Sequence, residues 1–350
     1  MDFFNIYLPV AGIEFNALLL VLIGFCVGVL GGFFGVGGGW IVTPALNIFG
    51  FHMAFAIGTD LANIFGQSIG ATKKHHKMGN IDWKLGTISI VASIAGLEGG
   101  SQVVLLLEKA GDIGSIVRWC YLFLMIGLSS LMFYDYFSRN PKKAAGIHDQ
   151  SKLAGQIPQR EKATIADRLH RINIPPMISF PDSGIKSVSL WIVLAIFAFT
   201  GFLSGFLGVG GGFIRMPALV YLIGVPTSIA VGTDLMSVLF SGAYGCLTYS
   251  LKGRVEIIAA FIMLIGASIG AQIGATAVKY IKGYGIRLLF ALMIAFAGCS
   301  IALEQIYKIT GNEAYQGAAG IVLMGTAVTM TLIIVIRLMA GFRREQIMKM

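Results

Sequence analysis

The feature that most constrains this chain is a succession of apolar blocks, mostly about 17 to 24 residues long and separated by short polar turns. Wound as a helix, such a run matches a hydrocarbon core about 30 Å thick. Lipid offers no water to satisfy exposed backbone N–H and C=O groups, so these runs fold as helices rather than open strands. Blocks read at about 17–34, 40–50, 54–71, 85–107 and 115–137. After a polar stretch at about 138–188 they resume at 189–207, 213–225, 229–250, 255–278, 286–303 and 317–340. Composition points the same way: 56% of the 350 residues are hydrophobic and 12% are charged, with a mean hydropathy of +0.80. A soluble chain carries about twice that charge. The expected class is an all-α, polytopic membrane protein with about nine to eleven membrane segments.

One stretch is written twice. Phe34 to Leu46 reads FGVGGGWIVTPAL and Leu207 to Leu219 reads LGVGGGFIRMPAL, nine of thirteen positions identical at an offset of 173. Ile57-Gly58-Thr59-Asp60-Leu61 and Val231-Gly232-Thr233-Asp234-Leu235 follow in the same order at an offset of 174. The chain therefore reads as two homologous repeats, residues 1–137 and 189–303. A basic linker at 138–188 joins them, and an extra helix with a basic tail follows at 304–350. The linker carries a Pro175-Pro176 pair and a short amphipathic helix expected at about Ile165 to Ile172.

The blocks at 40–50 and 213–225 are too short to span as straight helices. Each begins after a GGG and contains a proline, Pro44 or Pro217, so interrupted helices are expected at the GVGGG motifs. Three glycines in a row forfeit about 1 kcal/mol each of helix propensity against alanine, and their backbone groups need protein or a watery cavity for partners. At the start of the following helix such N–H groups suit an anion. Paired interrupted helices near the midplane hold substrate in inverted-repeat transporters. Gly37, Gly38, Gly39, Gly210, Gly211 and Gly212 are thus candidate substrate contacts. The same glycines also suit plain close helix crossing. No Lys-Ser/Thr follows them, no final glycine completes GxGxxG and no βαβ context surrounds them, so they are not a nucleotide loop.

Ionisable residues within apolar blocks cost roughly 2.5–3.5 kcal/mol each on insertion scales and so mark function by default. Asp60 and Asp234 occupy the same place in both repeats, behind Thr59 and Thr233. Asn63 and Gln67 continue that helical face in one copy, and Ser237 and Ser241 in the other. Two readings stand side by side: a polar path for coupling or gating, and a Thr-Asp helix start in which the carboxylate only caps. Arg215 replaces Val42 of the first copy, and its planar fork suits a sulfonate- or carboxylate-like anion or a pairing with Asp234. Glu98, with Gln272 at the matching place of the second repeat, reads as a further coupling candidate or as a residue hydrogen-bonded between helices, and Glu256 reads as structural.

Basic residues cluster at Lys73, Lys74, Lys77 and Lys84, at nine positions between Arg139 and Lys186, and at Arg343, Arg344 and Lys349. That pattern is topology information, with the basic segments cytoplasmic, and not a nucleic-acid footprint. If each short block crosses the membrane, each half makes five crossings, the halves are inverted and all three clusters lie inside. If the short blocks are re-entrant, the tail ends outside. The inverted arrangement breaks fewer charge preferences. Cys26, Cys120, Cys246 and Cys299 stand singly in apolar blocks and read as packing residues. His75 and His76 read as part of a basic loop, without partners for a metal. No nucleophile–base pair appears and no cofactor is implied, so the chain is not expected to be an enzyme. A haem-binding role would need paired membrane histidines, which His52 alone does not supply.

The doubled GVGGG…P-x-L followed by a Gly-Thr helix resembles the sulfite exporter TauE/SafE family of membrane transporters, over about 15–137 and 189–303. The resemblance implies transport of sulfur-containing anions such as sulfite or organosulfonates through a bacterial inner membrane, by a multi-pass protein coupled to the proton gradient. The basic linker and the last helix depart from a minimal member. In this reading the glycines, Arg215, Thr59 and Thr233 contact the anion, while Asp60, Asp234, Asn63, Gln67, Ser237 and Ser241 serve coupling or gating. The partners are a small anion and the lipid bilayer, with no nucleic acid, and a homo-oligomer is compatible. A passive anion channel and a scaffold acting through the linker are the competing classes.

Overall fold

A computed structural model describes residues 4–111, 113–138, 166, 169, 172–281 and 283–347. The amphipathic helix expected at Ile165 to Ile172 lies almost wholly outside them. Among the described residues there are eleven α-helices: α1 (Ala17–Phe34), α2 (Gly39–Ile48), α3 (Met53–Lys77), α4 (Trp83–Ala110), α5 (Ile113–Ser138), α6 (Leu190–Leu207), α7 (Gly212–Ala218), α8 (Thr227–Ser250), α9 (Ile257–Ala277), α10 (Gly283–Thr310) and α11 (Glu313–Ile347). A π-helical turn, Leu219–Ile223, prolongs α7. Eight of the helices are long and apolar enough to cross a bilayer. The protein is an all-α polytopic membrane protein.

Two short antiparallel hairpins were not legible as strands. β1 (Asn5–Leu8) pairs with β2 (Ile13–Asn16) just before α1, and β3 (Met177–Phe180) pairs with β4 (Ile185–Ser189) just before α6. The second hairpin occupies the end of the segment read as linker.

The helices pack by exchange. Along α1, Gly24, Gly28 and Gly32 face the backbone of Met263, Ala267 and Ala271 on α9, while Gly266, Gly270 and Gly274 of α9 face α1 in return. A Cβ on Gly28 would sit 2.7 Å from Ala267 Cα, so only glycine permits this approach. Along α4, Gly96 and Gly100 meet α6, whose Gly201 and Gly205 meet α4. In lipid no hydrophobic force draws helices together, and such small-residue faces supply the dispersion contact instead. The other face of α9 turns Phe261, Ile265 and Ile269 outward, the surface that acyl chains cover.

In the middle, α3 and α8 run antiparallel. Gly245 lies against Leu61, Gly242 against Ile64 and Phe65, Gly58 against Arg254 and Gly232 against Asn80.

Candidate functional site

Both glycine motifs end one helix and start another. Gly35 and Gly208 close α1 and α6 in the left-handed region, at φ 83° and 76°. Gly38 and Gly211 then open α2 and α7, at φ 81° and 78°. These values exclude side chains at little cost only for glycine. The two loops meet each other. A Cβ on Gly39 would lie 2.8 Å from Val209 Cα, and one on Gly212 would lie 2.6 Å from Val36 Cα. Ile64 of α3 and Val238 of α8 flank Gly37 and Gly210. The six glycines are buried.

Carbonyls on each side of the loops are held. Gln67 Nε2 donates to Gly37 O, and Ser241 Oγ donates to Gly210 O at 3.2 Å. In the last turn of α6, Tyr249 donates to Gly205 O at 2.8 Å and Tyr121 to Leu207 O at 2.7 Å. His75 Nε2 lies 3.2 Å from Gly32 O in the last turn of α1. His75 is thus no loop residue: the KKHHK run forms the last turns of α3 and His75 is fully buried.

Asp60 and Asp234 are each the eighth residue of their helix, α3 and α8, and neither caps it; His52 and Pro226 hold those positions. The capping reading is thereby corrected. Both carboxylates are fully buried. Thr43 donates twice to Asp60 Oδ2, from N–H at 3.2 Å and from Oγ1 at 2.8 Å. Asp234 Oδ1 receives Arg215 Nη1 at 3.3 Å. Asp60 Oδ1 and Asp234 Oδ2 have no hydrogen-bond partner. Where the first copy has Thr43, the second has Met216, and the arginine supplies the donor.

Arg215 itself is fully buried, and its Nε and Nη2 have no partner. Its Nη2 lies where Gly211 lacks a side chain: a Cβ there would sit 2.5 Å away. Ser204 packs on the same spot, and its buried Oγ is also unpartnered. This leaves a buried cation with one contact to a carboxylate and two N–H directions open to a further acceptor.

The face below Asp60 carries more unpartnered polar atoms. Asn63 has both amide atoms unbonded, and Gln67 Oε1, Ser68 Oγ, Thr72 Oγ1 and His75 Nδ1 follow along α3. The run from Asp60 to His75 covers about 22 Å at about 1.5 Å per residue. On α8 the matching hydroxyls are satisfied: Ser237 donates to Thr233 O at 3.1 Å and meets Ser89 Oγ, and Ser241 has several acceptors.

Thr59 and Thr233 have a definite task. Glu256 N–H donates to Thr59 Oγ1 and Asp82 N–H to Thr233 Oγ1, both at 2.9 Å. Asp82 and Glu256 are the N-caps of α4 and α9, so each threonine pins the start of a helix beyond its own half. Glu256 also accepts from Val10 and Ala11 N–H, at 2.7 and 2.9 Å, which agrees with a structural part. Glu98 receives Gln102 at 2.5 Å and Tyr244 at 3.0 Å. Of the four cysteines, all free, Cys26 is buried, Cys120 is half-buried against the core and Cys299 is exposed, so the packing reading holds for Cys26 and Cys120.

The sequence pattern of the sulfite exporter TauE/SafE family matches residues 20–301. The chain belongs to this family. The TauE/SafE match takes in both glycine loops, both aspartates and Arg215. Among curated relatives, the probable membrane transporter protein YunE of Bacillus subtilis is 25% identical over 83% of this chain and 99% of its own length. A probable membrane transporter protein of Methanocaldococcus jannaschii is 27% identical over 83% of this chain and 98% of its own. No solved structure matches the chain significantly. Family membership, with the spans described above, makes this a multi-pass membrane transporter.

Proposed function

We propose that the chain is a secondary transporter that exports a small sulfur-containing anion, such as sulfite or an organosulfonate, across the bacterial inner membrane and couples that movement to the proton gradient. The single observation that carries the reading is Arg215: fully buried where the two glycine loops meet, bonded once to Asp234 and otherwise unpartnered. An anion in front of Nε and Nη2 competes with Asp234 for the guanidinium. A proton on Asp234 changes its hold on the guanidinium, so proton and anion binding are linked, and the linkage is reciprocal. Asp60 and the polar face of α3 offer the proton a route from the site toward the end of α3.

The same proposal divides the chain into two inverted repeats, 1–137 and 189–303, with a cytoplasmic linker at 138–188 and an appended helix and tail at 304–350. The antiparallel crossing of α3 and α8 supports inversion, because corresponding helices of parallel halves would run the same way. This puts the basic end of α3, the linker and the C-terminus in the cytoplasm.

The test is a proteoliposome assay with sulfite, sulfate, thiosulfate, sulfoacetate, taurine and a carboxylate control, with and without an imposed pH gradient. Saturable, gradient-dependent movement of one sulfur anion is expected, lost in Arg215→Ala and made insensitive to pH in Asp60→Asn. Non-saturating flux without coupling is the signature of a channel, and transport that survives Arg215→Ala removes the arginine from the site.

A further inference from the structure

An open cavity lies away from the glycine loops and plays no part in the site above. It has a volume of about 660 Å³ and sits where the start of α3, the last turns of α4 and the α8–α9 link converge. Its lining is His52, Gln102, Leu105, Glu108, Lys109, Lys252 and Arg254. Three cations face it against one carboxylate, and that carboxylate is already engaged: Arg254 Nε lies 2.9 Å from Glu108 Oε1 and 3.1 Å from Oε2. Arg254 is further fixed over the Phe55 ring, 5.1 Å from its centroid. Lys252 Nζ is out of solvent reach and has no hydrogen-bond partner. Glu98, the other carboxylate near Lys252, is bonded to Gln102 and Tyr244.

At the matching position of the opposite end there is no arginine. Arg254 packs its carbonyl on Gly58, and Asn80 packs its carbonyl on Gly232 in the same way. The two positions correspond, with arginine at one mouth and a neutral amide at the other. At the same offset Lys252 answers to Met78 and His52 to Pro226. A surplus of positive charge with an unsatisfied ammonium, in a concave site, collects small anions from solution.

We propose that this cavity is an anion-binding vestibule that loads or receives the transported oxyanion at the non-cytoplasmic mouth, with Lys252 as its principal contact and Lys109 and Arg254 setting the field. The proposal rests on the transport reading and on the inverted topology given above. It makes apparent affinity for the anion from the vestibule side depend on these cations, and salt weakens it there.

The test has two arms. In right-side-out and inside-out vesicles of phosphatidylcholine, Lys252→Gln with Lys109→Gln is expected to raise the KM for sulfite about three- to tenfold from the vestibule side, with kcat and the opposite side unchanged. An unchanged KM, or an equal change on both sides, overturns the vestibule. The second arm needs no transport. In a chain whose four cysteines are replaced by alanine, Leu105→Cys is labelled with an anionic and a cationic thiosulfonate. The anionic reagent is expected to react faster, and the ratio to fall several-fold when both lysines become glutamine. A ratio that ignores the lysines overturns the proposal even if transport is robust. A ratio that responds while no anion of the panel moves keeps the vestibule and sinks the transport reading. If the ratio depends on the lysines only after phosphatidylglycerol is added, the occupant is a lipid headgroup and the proposal fails.

Discussion

Replacing Arg215 by methionine leaves Asp234 buried with no compensating charge, since Arg215 Nη1 is its only hydrogen-bond donor and Oδ2 is already unpartnered. Breaking a buried pair from one side costs about 3–5 kcal/mol. At about 1.4 kcal/mol per factor of ten, that is roughly two to three and a half powers of ten in the folded-to-unfolded ratio. Asp234→Leu strands the guanidinium instead and carries a cost of the same order. The double substitution removes both charges and fills the space with apolar groups, which is commonly neutral or stabilising by about 1–4 kcal/mol. The expected result is two fragile single variants and a double variant at least as stable as the parent, giving a coupling of about 6–10 kcal/mol in a double-mutant cycle. Equilibrium unfolding of the purified protein in mixed micelles reads the stabilities, and the proteoliposome assay reads transport. Restored stability with transport still absent separates a functional arginine from a structural one. Single variants that cost under about 1 kcal/mol would mean the pair is not buried in the way described, and a double variant as unstable as the sum of the singles would refute the pairing itself.

Two further outcomes follow from the packing. Gly212→Ala places a Cβ 2.6 Å from Val36 Cα and is expected to abolish transport and lower the melting temperature, whereas Gly127→Ala on α5, which meets nothing, gains up to about 1 kcal/mol of helix propensity; thermal unfolding of the pair checks both. Thr59→Val and Thr233→Val each remove the acceptor for a buried N–H and are expected to cost about 1–3 kcal/mol, while Thr87→Val, whose hydroxyl only back-bonds to Trp83 O at an exposed site, changes stability by less than any of these in the same micellar unfolding measurement.

The spans were legible because the physics behind them is nearly one-dimensional. Each apolar block became a helix, most within about three residues of the expected bounds and α3, α10 and α11 running six or seven residues further at their C-terminal ends, with Gly35 and Gly208 closing α1 and α6 at the expected places. What escaped depends on contacts between distant segments. The hairpins are four or five residues per strand, too short for a period to emerge. His75 sat among lysines and looked solvated, yet its neighbour in space is Gly32, more than forty positions earlier; its counterpart Tyr249, bonded to Gly205, was the only available signal and needs the repeat alignment to be seen. Thr59 and Thr233 were picked out by position, but their bonds to Glu256 and Asp82 cross between the halves. The cation cluster of the vestibule is assembled from three segments with no common motif.

The exchange of α1 onto α9 and of α4 onto α6 also bears on how the chain is made. The glycine face of α1 finds its partner only when α9 has been synthesised, about 240 residues after α1 begins; at about 5–20 residues per second this is roughly 12 to 48 seconds. Until then Gly24, Gly28 and Gly32 lie against lipid or against whatever shields a nascent chain at the insertion machinery. The pairing of α4 with α6 needs only the chain up to Leu207, so the two exchanges close in order, α4 with α6 first and α1 with α9 after it.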